Sequence, residues 1–396
     1  MIWSKNIYSN FVYVCKLHAS EENVVGYGQN IYRQLNINSN QMKKFIILFL
    51  AVYTSLPLFS QVRGNIDIPD LKGYATLKCD FHIHTVFSDG TVWPTVRIDE
   101  AYSEGINVIS LTEHIEYRPY IKEGSHNRSY EIAEAYAKSK DIILIRGSEI
   151  TRPMPPGHFN AIFLTNSNEL DKPNWIDVFR AAQSQNAFIF WNHPHWDAQQ
   201  PDTTLWFEEH TQLLQHGILH GIEVVNGNLY SPEAHHWCLE KKLTMIGNSD
   251  IHKPMQDFAS GKHRTMTLVF ARNTTQEAIY EALMERRTAI YFNEQIIGEE
   301  KYLKEIFENA LEINVERTGN IALIRVKNNS ELPFLLKKTG NHDVRIVYFR
   351  DFKIVPHGEH TITVKLNDGI MSGNVDFVVE NFLVEPGKGM KYSIKL

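Results

Sequence analysis

Residues 80–90 read DFHIHTVFSDG, a polar segment that follows directly on an apolar run. His82 and His84 are two positions apart, so on an extended strand their side chains point to the same face. Asp89 follows on the loop, just ahead of Gly90. Imidazole and carboxylate ligands together suit zinc, manganese or iron. One pair of histidines is weak evidence for a metal, because a histidine at a strand end is usually a surface residue.

Strands and helices alternate downstream of this segment. Short apolar runs of the kind found in buried parallel strands predict seven strands, at 78–85, 107–114, 142–150, 159–164, 187–193, 221–226 and 244–249. Helical segments are predicted between most of them, at 94–104, 129–139, 173–185, 205–216 and 232–242. This alternation favours an α/β fold, either a parallel barrel or an open parallel sheet.

Histidines and acidic side chains recur where these predicted strands end. They are Glu113 and His114, Glu149, His158 just before the fourth strand, His193 and His195, Glu223 and Asn226, and Asp250 and His252. In a parallel barrel the carboxyl ends of the strands meet on one face, where active sites form. Because so many buried charges would be costly without a counter-ion, the pattern predicts a metal site. The histidines in predicted helices, His210, His216, His220, His235 and His236, are expected to serve packing or the surface.

Five segments, in this order, resemble the motifs of the polymerase and histidinol phosphatase (PHP) superfamily: HIHTVFSDG (82–90), SLTEH (110–114), GSE (147–149), NHPH (192–195) and NSDIH (248–252). The resemblance covers about residues 76–295. It implies a distorted (β/α)7 barrel that hydrolyses phosphoesters with two or three divalent metal ions, such as zinc, manganese or iron. The second motif departs from the family, which often has Asp where Glu113 stands.

The resemblance also implies which residues hold the metal ions. It assigns His82, His84, Glu149 and Asp250 to the first ion, His158 and His193 with a bridging Glu149 to the second, and Asp89, His114 and His252 to a third. The position of His158 is the least constrained, because its distance along the chain from Glu149 varies in the family. Glu113 can still orient His114 or a neighbouring ligand from the next shell of contacts.

Further residues are candidates for handling the substrate. A protonated His195 or His252 is expected to assist the leaving oxygen as a general acid. Cationic side chains on the predicted loops could bind the phosphate, and these are Arg118, Lys122, Arg128, Arg152 and Lys253, with His195 beside them. Each of them, taken alone, is more often a solvated charge, so we expect one or two of the five cations to contact substrate.

The pattern changes after residue 305. Short runs of alternating apolar and polar residues, from LEINVE at 311–316 to KYSIKL at 391–396, are typical of a small antiparallel sandwich. We therefore expect a PHP barrel at 76–297 and a β-rich, sandwich-like C-terminal domain at 305–396. A helix at 275–287 and the charged segment 298–306 are predicted to link them.

The N-terminal region resembles a secretory signal. Met42 and two lysines precede the run FIILFLAVYTSLPLF, which ends at Ser60. We expect a signal peptide at 42–60 with cleavage near Ser60-Gln61, an artefactual extension at 1–41 and a linker at 61–75. The mature chain would then be periplasmic, without stable membrane insertion, because an apolar run of about 15 residues is short for a span. Its two cysteines, Cys79 and Cys238, are expected to be buried free thiols.

The expected function is a secreted metal-dependent phosphodiesterase that acts on a small phosphorylated substrate. A net charge of −6 indicates no binder of nucleic-acid polymers. The alternatives are a phosphomonoesterase, a metal-dependent amidohydrolase, and a non-enzymatic surface or glycan-binding protein. Many amidohydrolases need a lysine at a strand end, which is not evident here, and the full ligand set argues against a non-enzymatic role. The sequence does not indicate an oligomeric state.

The signal peptide predicts where the mature chain begins. If the chain is exported by a bacterial host, N-terminal sequencing of the secreted protein is expected to read from near Gln61. A mature protein that retains residues 1–41 would contradict both the signal and the extension.

Overall fold

Seven buried strands form a distorted α/β barrel in the computed structural model, which describes residues 62–120, 122, 124–255, 263–340, 344–347, 351–369 and 372–396. The strands are β1 Ala75–Ile83, β2 Val108–Leu111, β3 Ile143–Thr151, β4 His158–Ile162, β5 Phe188–Trp191, β6 Gly221–Asn226 and β8 Thr244–Asn248, and a short β7 Leu229–Tyr230 pairs with β6. The helices among them are α1 Pro94–Glu104, α2 Arg128–Ser139, α3 Trp175–Gln183, α4 Glu208–Gln215 and α5 Pro232–Lys241. The predicted barrel is confirmed, whereas residues 1–41 and 42–60 lie outside the described residues.

One strand runs against its neighbours. β4 pairs antiparallel with β3 and with β5, while β1, β2 and β3 are parallel to one another, as are β5, β6 and β8. The expectation of an all-parallel sheet is therefore wrong at β4. The six residues 152–157 between β3 and β4 are too few for a helical crossover, so the chain returns as a hairpin. His158 begins β4 instead of preceding it, and it lies opposite Thr151.

One side-chain and one backbone hydrogen bond join the two ends of the barrel sheet, β8 and β1. The Phe81 amide donates to the Asn248 side-chain oxygen at 2.8 Å, and the His84 amide donates to the Ile251 carbonyl at 3.1 Å. Because Asn248 and Ile251 flank Asp250, this joint also holds the loop that carries a predicted ligand.

A buried ion pair reinforces the same joint. The Asp80 carboxylate accepts hydrogen bonds from the Ser249 amide at 3.1 Å and from the Arg264 guanidinium at 3.0 Å. Arg264 also forms two hydrogen bonds with Glu104, at 2.9 and 3.1 Å. Burial raises the pKa of Asp80, and the contacts with Arg264 and Ser249 counteract that rise. The arginine thus keeps a fully buried carboxylate charged where the barrel closes.

Three further strands extend the sheet beyond β1. They are β9 Met266–Ala271, β10 Thr288–Phe292 and β11 Gln295–Gly298, with the helix α6 Gln276–Met284 between the first two. β9 pairs antiparallel with β1, and β10 pairs antiparallel with β9 and β11. Of these elements the sequence predicts only the helix, because a six-residue apolar run cannot be distinguished from a buried helical segment by periodicity.

The C-terminal part is a sandwich that continues the barrel sheet. It follows the amphipathic helix α7 Glu300–Ala310 and consists of β12 Leu311–Thr318, β13 Ile321–Asn328, β14 Phe334–Thr339, β15 Val344–Ile346, β16 Asp351–Ile354, β17 Glu359–Leu366, β18 Asn374–Glu385 and β19 Lys388–Lys395. One sheet has the order β12-β13-β17-β15, and the other is formed by β16, β14, β18 and β19. β18 pairs parallel with β11, where Ile296 lies beside Phe382. The barrel and the sandwich therefore share one sheet, and buried residues of both pack in one apolar cluster.

Two smaller predictions concern the cysteines and membrane-spanning helices. Cys79 and Cys238 are both buried free thiols, as the sequence predicts. In the residues that the structure describes, no helix is both long and apolar enough to span a membrane.

The Asp80–Arg264 pair yields a test of the barrel joint. Arg264→Leu leaves Asp80 buried without its counter-charge, so we expect the free energy of unfolding to fall by about 3–5 kcal/mol. Urea denaturation followed by far-UV circular dichroism measures the change. Arg272→Leu is the matched control, since Arg272 is exposed and lies 3.6 Å from Glu281, where a loss of less than about 1 kcal/mol is expected. Equal losses in the two variants would contradict the role given to Arg264.

Candidate metal centre

The structure brings all nine predicted metal ligands into one cluster. Their donor atoms form three overlapping groups, in each of which the atoms lie within 4.8 Å of one another: His82, His84 and Asp250; Glu149, His158 and His193; and His84, Asp89, His114 and His252. The residues come from the ends of six barrel strands or the loops that follow them. The second group is the set that the resemblance implies for the second ion, the first group lacks Glu149, and the third has His84 in addition to the implied residues.

The innermost group has the dimensions of a metal site. The Nε2 atoms of His82 and His84 each lie 3.2 Å from Glu149 Oε2 and 3.2 Å from Asp250 Oδ1. Four atoms at the corners of a tetrahedron with edges of this length would surround a point about 2.0 Å from each, which is the usual distance from zinc to imidazole nitrogen or carboxylate oxygen. The donor set therefore fits a divalent ion.

Glu149 connects the three groups. Its Oε1 atom lies 2.9 Å from His158 Nδ1 and 3.6 Å from His193 Nε2. Its Oε2 atom faces the innermost group and lies 3.1 Å from His114 Nδ1. The side chain is buried, so both oxygens are directed into the cluster. A single carboxylate can thus bridge two ions.

The outermost group lies nearer to solvent. Asp89 Oδ2 is 3.3 Å from His114 Nε2 and 3.2 Å from His252 Nε2. The side chains of Asp89 and His252 are 40% and 35% exposed, whereas those of His82 and His84 are fully buried. The cluster therefore runs from a buried base to an open mouth.

The charges of the cluster are strongly coupled. Burial alone lowers the pKa values of His82 and His84, but the carboxylates of Asp250 and Glu149 override it and raise the pKa of His84 to about 10. Burial likewise raises the pKa values of Glu149 and Asp250, yet the surrounding imidazoles hold both well below the usual range. His84 Nε2 and Asp250 Oδ1 form no hydrogen bond within the described part of the chain. An ion that displaces the His84 proton would therefore satisfy both buried atoms.

Glu223 orients the first histidine. Its Oε1 atom accepts the His82 Nδ1 proton at 2.9 Å, which directs Nε2 into the cluster. Oε1 also accepts a hydrogen bond from the Asn248 side chain at 2.8 Å, and Oε2 accepts from the His193 amide and the Asn226 side chain, each at 2.9 Å. From the sequence, Glu223 and Asn226 are candidate ligands. The structure places Glu223 behind the ligands, a position that strand alternation alone could not reveal.

Glu113 holds the loop after β1. It accepts hydrogen bonds from the Thr85 amide and the Ser88 hydroxyl, and Ser88 Oγ lies 3.2 Å from His84 Nδ1. The departure from the family motif thus retains an acidic group that orients a ligand through Ser88. It acts on His84, one of the two possibilities named for it.

Arg97 and Gly90 shape the backbone around the ligands. The buried Arg97 guanidinium donates to the carbonyls of His84, Ile251 and Lys253 at 3.0, 3.1 and 2.9 Å. At Gly90 a side chain could not be accommodated, because a Cβ atom would lie 2.7 Å from the His84 carbonyl carbon. Arg97 is hidden in the sequence, since nothing in a helical arginine predicts burial.

Two of the candidate ligands have a strained backbone. His193 and Asp250 have φ angles of +30° and +50°, a region that non-glycine residues seldom adopt. Such residues cost on the order of 1–3 kcal/mol each and occur mainly at functional sites. The fold retains the strain here because it directs both side chains into the cluster.

The comparisons with known proteins agree with this geometry. A solved two-domain protein from Bacteroides vulgatus ATCC 8482, which contains a predicted PHP-like metal-dependent phosphoesterase, is 53% identical to this chain. The match covers 85% of this chain and 100% of that protein, with a TM-score of 0.83. The chain belongs to the PHP-like metal-dependent phosphoesterases. The predicted family is therefore confirmed.

Two shorter matches concern parts of this PHP-like protein. A family model described as an Ig-like domain matches residues 308–395, which agrees with the β-sandwich. A 5'-3' exoribonuclease of Haemophilus influenzae is 36% identical over 76 residues, or 19% of this chain and 24% of that enzyme. The chain thus matches only about a quarter of that curated relative.

The candidate substrate cations of this PHP-like protein differ in their contacts with the rest of the protein. Arg118 contacts the Gly124 carbonyl and Asp171, and Arg152 contacts Glu116 and the Lys172 and Pro173 carbonyls. Arg128 lies 3.6 Å from Glu131 and is half exposed, and Lys122 and Lys253 are exposed. Three of the five cations thus have a partner in the described part of the protein, and Arg118 and Arg152 have more than one.

His195 lies beside the cluster on the loop after β5. Its Nδ1 atom is 2.8 Å from Thr204 Oγ1, and its side chain is 49% exposed. With His193, Trp196, Glu223 and Asn226 it lines a small cavity of about 10 Å³. Two of the histidines expected in helices serve packing: His210 packs on Trp191 at 3.8 Å and His235 contacts the Tyr230 hydroxyl. His220 lies outside the helices, directly before β6.

The raised histidine pKa values predict that metal binding releases protons. In the metal-free protein the His84 ring stays protonated until the pH approaches about 10, so an ion must displace that proton. Zinc affinity is therefore expected to rise between pH 6 and pH 9, while the His84 ion pair stabilises the metal-free fold below about pH 6.5 and is lost as the pH passes about 10. Calorimetric titration at pH 7 in two buffers of different ionisation enthalpy measures the release. Identical heats in both buffers would contradict it.

Proposed function

We propose that this chain is a secreted metal-dependent phosphodiesterase that acts on a small phosphorylated substrate. The observation that carries the proposal is the position of Glu149, whose two oxygens face different groups of donor atoms. Two or three divalent ions, such as zinc, manganese or iron, would be held next to one another by this arrangement.

The ions would supply the hydrolytic chemistry: divalent metals bound together activate water at neutral pH and neutralise phosphoryl oxygens. The protein contributes the geometry. Glu223, Glu113 and Arg97 hold the ligands in place, so no ligand has to be ordered when substrate arrives. Exposure of Asp89 and His252 leaves the outer side of the cluster open to an ester.

The distribution of positive charge favours a diester over a monoester. A monoester carries a dianionic phosphate at neutral pH, which calls for cationic groups around it. Arg118 and Arg152 are already paired with protein carboxylates and carbonyls. Lys253, exposed beside His252, is the candidate cation adjacent to a ligand in the sequence. A singly charged diester needs less compensation than a dianion and suits such a mouth.

His195 is the better of the two candidates for proton donor to the leaving oxygen. Both ring nitrogens of His252 are engaged, Nδ1 by the Asp250 carbonyl at 2.8 Å and Nε2 by Asp89 at 3.2 Å. His195 contacts Thr204 through Nδ1, and its half-exposed ring can present Nε2 to a substrate. His252 would thus serve as a ligand, and His195 would transfer the proton.

Secretion and substrate size complete the proposal. The signal-like segment 42–60 supports export to the periplasm. The net charge of −6 argues against a long polyanion as substrate and leaves small phosphodiesters.

A pair of chromogenic substrates tests the diesterase. Protein comprising residues 61–396 is expected to hydrolyse bis-p-nitrophenyl phosphate faster than p-nitrophenyl phosphate when zinc, manganese, iron or cobalt is supplied. Asp250→Asn should lower both the bound metal and the rate, the latter by roughly 100-fold or more, because an innermost donor loses its charge. Failure to cleave either substrate with any of these metals would overturn the phosphoesterase.

The role of His195 predicts a dependence on the leaving group. His195→Gln is expected to slow esters of alkyl alcohols by roughly 100-fold, because a poor leaving group needs the proton. Esters of p-nitrophenol, which leaves without protonation, should slow only a few-fold. Metal content, measured by atomic emission, should stay unchanged. Equal slowing of both ester types would exclude the general-acid role.

A further inference from the structure

Exposed aromatic side chains lie on loops that carry candidate metal ligands. Trp93, Tyr120 and Trp196 are 47%, 49% and 37% exposed, although large rings are normally buried. They belong to loops that follow β1, β2 and β5, whose carboxyl ends carry the ligands. Exposed apolar surface beside a polar centre is typical of a ligand-binding surface.

Trp196 lies directly against the second donor group. Its ring centroid is 5.0 Å from that of His193 and 5.7 Å from that of His158, both in edge-on geometry. Its amide donates to the His193 carbonyl at 2.9 Å, so the backbone turn that positions the ligand also positions the indole. The ring is thus held in place before any ligand arrives.

Three more aromatic rings lie on the loops that follow β1 and β2. Phe87 is two residues before Asp89, and its ring centroid lies 5.5 Å from that of Trp93 and 5.8 Å from that of Tyr120. The hydrogen bond from Ser88 to Glu113 holds this loop on β2. We call Phe87, Trp93, Tyr120 and Trp196 the aromatic rim. Trp196 lies beside the second donor group. The other three rings lie on the loops that carry Asp89 and His114 of the outermost group.

We propose that the aromatic rim binds a flat aromatic ring carried by the ester arm that is not displaced. The inference rests on the proposed phosphodiesterase, since only a diester has a second arm. Rings stack on exposed indole and phenyl faces, and each stacked ring contributes measurably to affinity. Arg118 and Arg152 are paired within the protein, so aromatic contact would select the arm where cations do not. An aryl group and a nucleobase both offer this chemistry.

Three diesters with one leaving group separate ring binding from reactivity. The full mature chain, loaded with the metal that supports activity, is assayed with methyl, phenyl and thymidine-5' esters of p-nitrophenyl phosphate. Each kcat/KM is divided by the rate of hydroxide-catalysed hydrolysis of the same compound. We expect the phenyl ester to exceed the methyl ester by about tenfold, which corresponds to about 1.4 kcal/mol. The thymidine ester shows whether a nucleobase is accepted as well as an aryl ring.

Four variants assign the preference to the rim. Trp196→Leu is expected to reduce the phenyl preference to about twofold or less, whereas Trp196→Phe should retain most of it because the ring is kept. Since Trp196 touches two candidate ligands, its metal content is measured as well. Trp93→Leu removes a ring that contacts Phe87 rather than a ligand, and it should also lower the preference. Ile321→Ala, an exposed apolar residue of the sandwich, is the control without effect.

The outcomes distinguish this inference from the proposed function. Hydrolysis of all three esters without a ring preference overturns the rim and leaves the phosphodiesterase intact. A ring preference that survives both Trp196→Leu and Trp93→Leu also overturns it. No hydrolysis of any ester overturns the phosphodiesterase and the inference with it. A preference for the phenyl or the thymidine ester that falls in both leucine variants supports the inference and identifies the kind of ring.

Discussion

The buried carboxylate of Glu149 is the constraint on which the centre depends. Its two oxygens lie within 3.6 Å of nitrogen atoms of five histidines, at the end of a central barrel strand. A carboxylate in such a place needs positive charge, which imidazoles supply when protonated and metal ions supply when bound. The strands and loops of the barrel therefore hold these groups at contact distance.

The supporting contacts are themselves charged and buried. Glu223 behind His82, Arg97 behind the His84 and Asp250 loops, and the Asp80–Arg264 pair at the barrel joint each place an ion inside the protein. Buried ions cost free energy unless several hydrogen bonds satisfy them, and each of these has at least three. Positive φ angles at His193 and Asp250 add further cost. Stability is thus given up to hold the ligands rigidly.

The sequence predicts the barrel and the meeting of the candidate ligands at strand ends, because both depend on local pattern. His82 and His84 are two positions apart and so point to one face of the strand, and strand ends meet on one face whatever the exact sheet order. The antiparallel β4 escaped prediction, since strand direction depends on the length of a connection and not on hydrophobic pattern. Arg97 and the orienting role of Glu223 escaped it as well, because their function lies in contacts 140 to 160 positions away in the chain. The need for glycine at position 90 is local in the chain, but it appears only in the folded loop, where a Cβ atom would collide with the His84 carbonyl.

The pairing of β11 with β18 has a consequence for how the chain can be divided. β11 has β10 on one side and β18 of the sandwich on the other. A chain that ended after β11 would expose an unpaired strand edge with Ile296 and Ile297, and such edges recruit other chains. The change in sequence pattern near residue 305 therefore marks a boundary between architectures, but not a point at which the protein could be cut without inviting aggregation.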